Sequence, residues 1–181
     1  MRAFTEQVPA ALPADLVLAG PDPDSVADDP ERLATFRELL ACRSSLPPAA
    51  RSRVHLACLP MEDAEENGAM VNALQRRSDV IVQKSLAEGF GLTVAEAMLK
   101  GRPTVGSRVG GIQDQIAHGW SGLLIDDPSD VVACGRAITL LLNDPDCAQR
   151  LGRGAVEHVL DNYLVPCHLT RYLRLLDRVW D

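Results

Sequence analysis

Ser85–Lys100, SLAEGFGLTVAEAMLK, is the stretch that decides the fold of this chain. The run before it, Asp79-Val-Ile-Val-Gln83, is apolar and β-branched and has the length of a buried strand. Glu88-Gly-Phe-Gly91 breaks that run. Leu92–Lys100 is then built from good helix formers, with Leu92, Ala95 and Leu99 expected on one apolar face. Gly101 and Pro103 end the helix, and Pro103–Ser107 reads as the next strand. The unit is strand, glycine turn, helix, strand.

Such a unit suits a phosphate. Gly89 and Gly91 let the backbone come close to a ligand and tolerate positive φ. The first N–H groups of the helix, near Leu92 and Thr93, have no partner inside it and carry the positive end of its dipole. Glu88 stands in the turn and Glu96 inside the helix, with seven residues between them. A carboxylate accepts paired hydrogen bonds from the vicinal hydroxyls of a sugar. One carboxylate on each side of a phosphate cradle therefore matches a ligand with sugar, phosphate and sugar in a row, a nucleotide-sugar. The plainer alternative is a tight strand-to-helix turn with Glu96 on a solvated face.

The spacing Glu88–Glu96 resembles the E-x7-E motif of retaining glycosyltransferases with the GT-B fold, the glycosyltransferase 4 family that includes sucrose synthase-like and glycogen synthase-like enzymes. Asn72-Ala-Leu-Gln-Arg76, Ser78-Asp79-Val80, Glu88-Gly-Phe-Gly-Leu-Thr93 and Val109-Gly-Gly-Ile112 resemble its glycosyltransferring trehalose synthases. Gln115-Ile116, His118-Gly119 and Ser121-Gly122 resemble both those enzymes and trehalose phosphorylases. The match runs over about residues 12–165 and is densest from Asn72 to Leu124. The resemblance implies a C-terminal donor domain that transfers glucose, with retention, from a nucleoside diphosphate to a sugar acceptor such as glucose. By the same resemblance Glu88 is the catalytic residue, contacting the donor hexose and facing positive charge that develops at its ring. Gly89, Phe90, Gly91, Leu92 and Thr93 line the hexose and phosphates, Glu96 holds the ribose, and Gly110 and Gly111 also approach the donor. No cofactor and no metal is called for. The family is thought to let the leaving phosphate help deprotonate the acceptor, so the protein supplies positioning and electrostatics.

Composition narrows the classes. A chain of 181 residues can bury a sizeable core, and its net charge of −7 comes with no basic tract. Nucleic acid is not an expected partner, because phosphate backbones call for clustered Lys and Arg. No apolar run reaches the length of a membrane span, and no signal-peptide pattern opens the chain, so a cytoplasmic location is expected. The five cysteines, Cys42, Cys58, Cys134, Cys147 and Cys167, show no C-x-x-C pairing and are expected as reduced, mostly buried thiols. His55, His118, His158 and His168 lack zinc spacing; only His118, near the Gly-Gly turn, stands out.

The remaining elements follow in order. Met1–Val8 reads as the tail of a helix, and Asp15–Gly20 and Arg53–Cys58 as strands. Pro21–Pro30 is an acidic, proline-rich loop in which Asp22-Pro-Asp24 has the form of a D-x-D metal motif but the composition of a turn. Pro30 opens a helix to about Cys42, and Pro47-Pro48 is a connector. Pro60–Asn67 is expected as an acidic loop in which Asp63, Glu65 and Glu66 are solvated, with a helix from about Ala69 to Arg76. Gly110-Gly111 opens a turn and helix to about Ala117, and Gly122–Ile125 is a short strand. Asp127 and Asp130 are expected to cap the helix Val131–Leu142. Asp144–Asn162 and Cys167–Trp180 are the last helices.

Strands alternating with helices predict an α/β fold with a doubly wound parallel sheet, the Rossmann-like C-terminal half of a GT-B fold, in which ligands bind beyond the carboxyl ends of the strands. Both glycine turns fall at such ends. The family's first donor-domain strand carries an Arg and a Lys that neutralise the diphosphate; nothing here matches them, so the first strand is expected to be missing. Residues 1–165 are then an N-terminally truncated nucleotide-sugar-binding domain, and 166–181 a helix crossing toward an acceptor domain that a separate chain could carry. Two other readings compete. A dinucleotide-binding oxidoreductase would want G-x-G-x-x-G, but the third glycine position is Val94. A nucleotide-sugar-binding fragment without turnover, or half of a trehalose phosphorylase-like enzyme, remains open.

Overall fold

The computed structural model describes residues 1–23 and 30–180. Its contacts divide the chain into two compact units, Met1–Leu74 and Gln75–Asp181.

The first unit holds α1 (Arg2–Gln7), β1 (Leu16–Pro21), α2 (Pro30–Ser44), α3 (Pro48–Arg51), β2 (Val54–Leu59) and most of α4 (Ala64–Arg77). β1 and β2 pair in parallel, from Leu16 opposite Val54 to Pro21 opposite Leu59. Arg53 ties the entry to this sheet together. Its Nε and Nη2 donate to the carbonyls of Ala14 and Leu12 at 2.9 and 3.1 Å, and its guanidinium sits 4.9 Å over the Phe4 ring. Asp24 of the D-x-D reading lies outside the described residues.

α4 corrects a boundary. It begins at Ala64, five residues before the expected start, because Asp63 is not merely solvated. Its Oδ1 accepts the Glu65 and Glu66 backbone N–H groups at 2.8 and 3.1 Å, and those two glutamates then favour the positive end of the helix. Pro47-Pro48 likewise opens the single turn of α3 rather than a plain connector.

The second unit is built on β3 (Ile81–Gln83), α5 (Leu92–Leu99), β4 (Thr104–Ser107), α6 (Ile112–Gln115), β5 (Leu123–Ile125), α7 (Val131–Asn143), α8 (Pro145–Asn162) and α9 (Val165–Trp180). β4 is buried at all four positions because it is the middle strand of a parallel sheet ordered β3-β4-β5. Val94, Met98, Ile112, Ile116, Leu124, Ala155 and Val159 form the core. Asp130 caps α7 as expected, accepting from Ala133 N at 2.8 Å, and Asp144 does the same for α8 with Cys147 N at 2.9 Å. Asp127 instead closes a turn onto Ser129 N. Among the described residues the strands form two parallel sheets, the pair β1-β2 and the trio β3-β4-β5.

Two further expectations change. The apolar face of α5 that is buried is Val94, Ala97 and Met98, while Leu92 is 67% and Leu99 45% exposed. The sheet and α8 pack against the Val94 side, and Glu96, on the stripe of Leu92 and Leu99, keeps its carboxylate in solvent. Of the cysteines, only Cys134 and Cys147 are buried; Cys58 is exposed and Cys42 and Cys167 are half-buried. Burial raises the Cys134 thiol above its ordinary pKa. No helix among the described residues is long and apolar enough to cross a membrane.

Candidate functional site

The Glu88–Gly91 turn leaves the sheet after β3 and enters α5 at Gly91, whose φ of 87° belongs to the left-handed region. Gly91 is the N-cap and has no side chain to offer, and α5 has no acid in its first turn. No protein acceptor among the described residues meets the N–H groups of Leu92 and Thr93. A helix start with neither cap nor acid keeps its partial positive charge for an external anion.

The turn is held from below. Gly111 N donates to Gly89 O at 3.0 Å, and the wholly buried Gln115 donates from Nε2 to Phe90 O at 2.5 Å. A Cβ on Gly110 would lie 1.6 Å from Glu88 O, and one on Gly111 2.6 Å from Phe90 O. These two glycines thus approach the turn's own backbone. The Phe90 ring packs edge-on against Tyr163 at 6.2 Å, and the Tyr163 hydroxyl donates to Asp114 O. Burial and the nearby Asp114 carboxylate raise the Tyr163 phenol above its usual pKa.

Glu88 is half-buried. Its Oε1 accepts from Gly89 N at 3.1 Å, and its Oε2 lies 3.4 Å from Ser85 Oγ. Gln83 Nε2 donates to that same Oγ at 3.0 Å, which leaves the hydroxyl proton of Ser85 for the carboxylate. Ser85 therefore orients Glu88. Glu96 stands exposed on α5 and accepts from Gln75 Nε2 at 3.3 Å. Phe90 and Leu92 remain 47% and 67% exposed beside these groups.

Nearby cations are committed elsewhere. Lys84 donates to Pro128 O, Lys100 to Gln75 Oε1, and Arg108 pairs with Asp126 at 2.5 Å. His118, singled out in sequence, serves the fold, because its Nδ1 accepts from Leu124 N at 2.9 Å. Sequence reasoning gave no role to Gln75, Gln83, Gln115 or Tyr163. Only the motif neighbourhoods around Gln75 and Gln115 hinted at them, since amide contacts depend on side-chain reach across elements.

The second unit thus presents a helix start with neither cap nor acid, with Glu88 before it and Glu96 inside it. Residues 65–158 match the family described as glycosyl transferases group 1, and the chain belongs to that family. It is 49% identical over 107 residues to the trehalose synthase of Thermococcus litoralis, covering 59% of this chain and 25% of that protein. The chain thus spans about a quarter of the length of the curated relative. Its fold is similar to the sucrose-phosphate synthase from Thermosynechococcus elongatus, with a TM-score of 0.73 at 24% identity over 99% of this chain and 42% of that one. It is also similar to Anabaena Alr3699/HepE in complex with UDP-glucose, with a TM-score of 0.70 at 18% identity over 97% of this chain and 43% of that one. These neighbours are GT-B glycosyltransferases, and the chain has the α/β fold of the part of them that it covers.

Proposed function

We propose that this chain is the donor half of a retaining hexosyltransferase that moves glucose from a nucleoside diphosphate to a sugar acceptor, in the manner of a trehalose synthase. The observation that carries the reading is the open, uncapped start of α5 with Glu88 before it and Glu96 inside it. The Leu92 and Thr93 N–H groups receive phosphate oxygens. Glu96 accepts the ribose hydroxyls, and Gly89, Phe90 and Gly91 lie along the sugar and phosphates. The bond from the anomeric carbon to the diphosphate breaks, and the acceptor oxygen bonds to that carbon on the same face. The acceptor's proton passes to the leaving phosphate oxygen. Glu88 faces the positive charge that grows at the ring during this exchange. The fold neighbour seen with UDP-glucose makes a uridine nucleotide the first donor to try.

The acceptor is bound elsewhere in a longer assembly, on the same or another polypeptide. α9 has no buried residue, and Val165, Tyr172, Leu173 and Trp180 are exposed, which supports a helix that docks on the acceptor domain. The test is Glu88→Ala in a full-length enzyme carrying this domain. Turnover should fall by a larger factor than nucleotide affinity, because the contact strengthens in the transition state. Turnover equal to the parent's overturns the assignment.

A further inference from the structure

Gln75 is a polar side chain that is only 5% exposed, near the end of α4, and its amide is engaged at both ends. Nε2 donates to Glu96 Oε2 at 3.3 Å, and Oε1 accepts from Lys100 Nζ. The lysine settles which way the amide points. An ammonium has donors and no acceptor, so it must face the amide oxygen, and the amide NH2 is left facing Glu96. Lys100 stands four residues after Glu96 on the same helical stripe, the spacing of a direct ion pair. It reaches Gln75 instead. The outcome is a carboxylate held by one oxygen, while Glu96 Oε1 meets no protein donor among the described residues.

We infer that Gln75, oriented by Lys100, is a positioning residue that fixes Glu96 in the one rotamer able to receive a ribose diol. This rests on the assignment of Glu96 to the ribose. An exposed glutamate on a helix otherwise samples several rotamers, and freezing them on binding weakens affinity. Glu96 stands away from the bond that breaks, so Gln75 acts on nucleotide affinity and not on the chemical step. A merely structural Gln75 would affect every ligand alike. A positioning Gln75 affects only ligands that present the diol.

The experiment measures binding of UDP and ADP, each beside its 2′,3′-dideoxy analogue, to the 181-residue chain and to Gln75→Met, Lys100→Met and Glu96→Gln. The parent should prefer the ribose form of the nucleotide it binds by about tenfold or more. Gln75→Met and Lys100→Met should each erase much of that preference, leave the dideoxy affinity unchanged, and add little further loss when combined with Glu96→Gln. Lys100→Met tests the same point without placing a new group in the buried position. Equal losses for ribose and dideoxy forms, or a preserved preference in both variants, overturn the inference. A parent that does not prefer the ribose form overturns the Glu96 assignment itself, which is a separate result.

Discussion

Glu96 and Tyr163 show how differently two residues near one turn respond to their surroundings. Glu96 is exposed and one of its oxygens meets no donor among the described residues, so under the proposed function its contribution appears with ligand bound. Glu96→Gln leaves one acceptor oxygen where there were two. A hydrogen bond to a charged group is worth about 1.5–3 kcal/mol, so calorimetry should show nucleotide affinity falling roughly ten- to hundredfold with the thermal melt unchanged. Tyr163 acts on the fold. Its phenol pKa is raised in the folded state, chiefly by burial, so folding favours the protonated form. That contribution is intact below the ordinary tyrosine value of about 10 and is lost as pH climbs through the raised value. Tyr163→Phe should therefore melt slightly lower at neutral pH, by the ~1 kcal/mol of its bond to Asp114 O, yet lose less stability than the parent as pH rises above the ordinary tyrosine value of about 10.

At the scale of the element, the glycines at the two turns separate into two kinds. Gly110, at φ 46°, presses against the Glu88 carbonyl, and Gly110→Ala would both strain its own backbone and push the turn aside. Each such strained residue costs on the order of 1–3 kcal/mol, so the variant should melt lower and bind nucleotide poorly. Gly89 has nothing within 4 Å of where a Cβ would stand, and its φ is not positive. Gly89→Ala should melt like the parent and, if the proposed donor lies along this turn, bind nucleotide more weakly, because the added methyl meets it. Thermal melts and calorimetry on the pair check both halves. Loss of stability in Gly89→Ala, or parental behaviour of Gly110→Ala, would reverse these roles.

At the scale of the molecule, the proposed function gives the chain the donor side of a reaction that also needs an acceptor site. On that reading its second unit holds the donor groups, and its last helix leaves Val165, Tyr172, Leu173 and Trp180 exposed. The 181 residues are expected to bind a nucleoside diphosphate, to transfer no glucose to added sugars, and to aggregate at modest temperature through the exposed apolar side chains of α9. An assay with UDP-glucose and glucose, run beside light scattering during a melt, checks this. Transfer by a monomeric chain with a cooperative melt would show that the donor half is self-sufficient.

The sequence by itself determined the strand–turn–helix unit, the alternation of strands and helices, the cap at Asp130, and the pair Glu88 and Glu96. All of these are local patterns, set by spacing within one element or one turn. It did not determine which stripe of α5 is buried, since Leu92-Ala95-Leu99 and Val94-Ala97-Met98 are both apolar at helical spacing; the sheet and α8 decided between them. It also did not place the helix start at Ala64, where one aspartate's bonds to two backbone N–H groups outweigh an acidic, loop-like composition. Gly110 and Gly111 are legible as glycines, but only the fold shows that they meet the turn's backbone. Gln75, Gln115 and Tyr163 come to the site from 21, 25 and 49 residues away from the groups they hold. Contacts over such separations depend on packing in three dimensions, which no periodicity in the chain records.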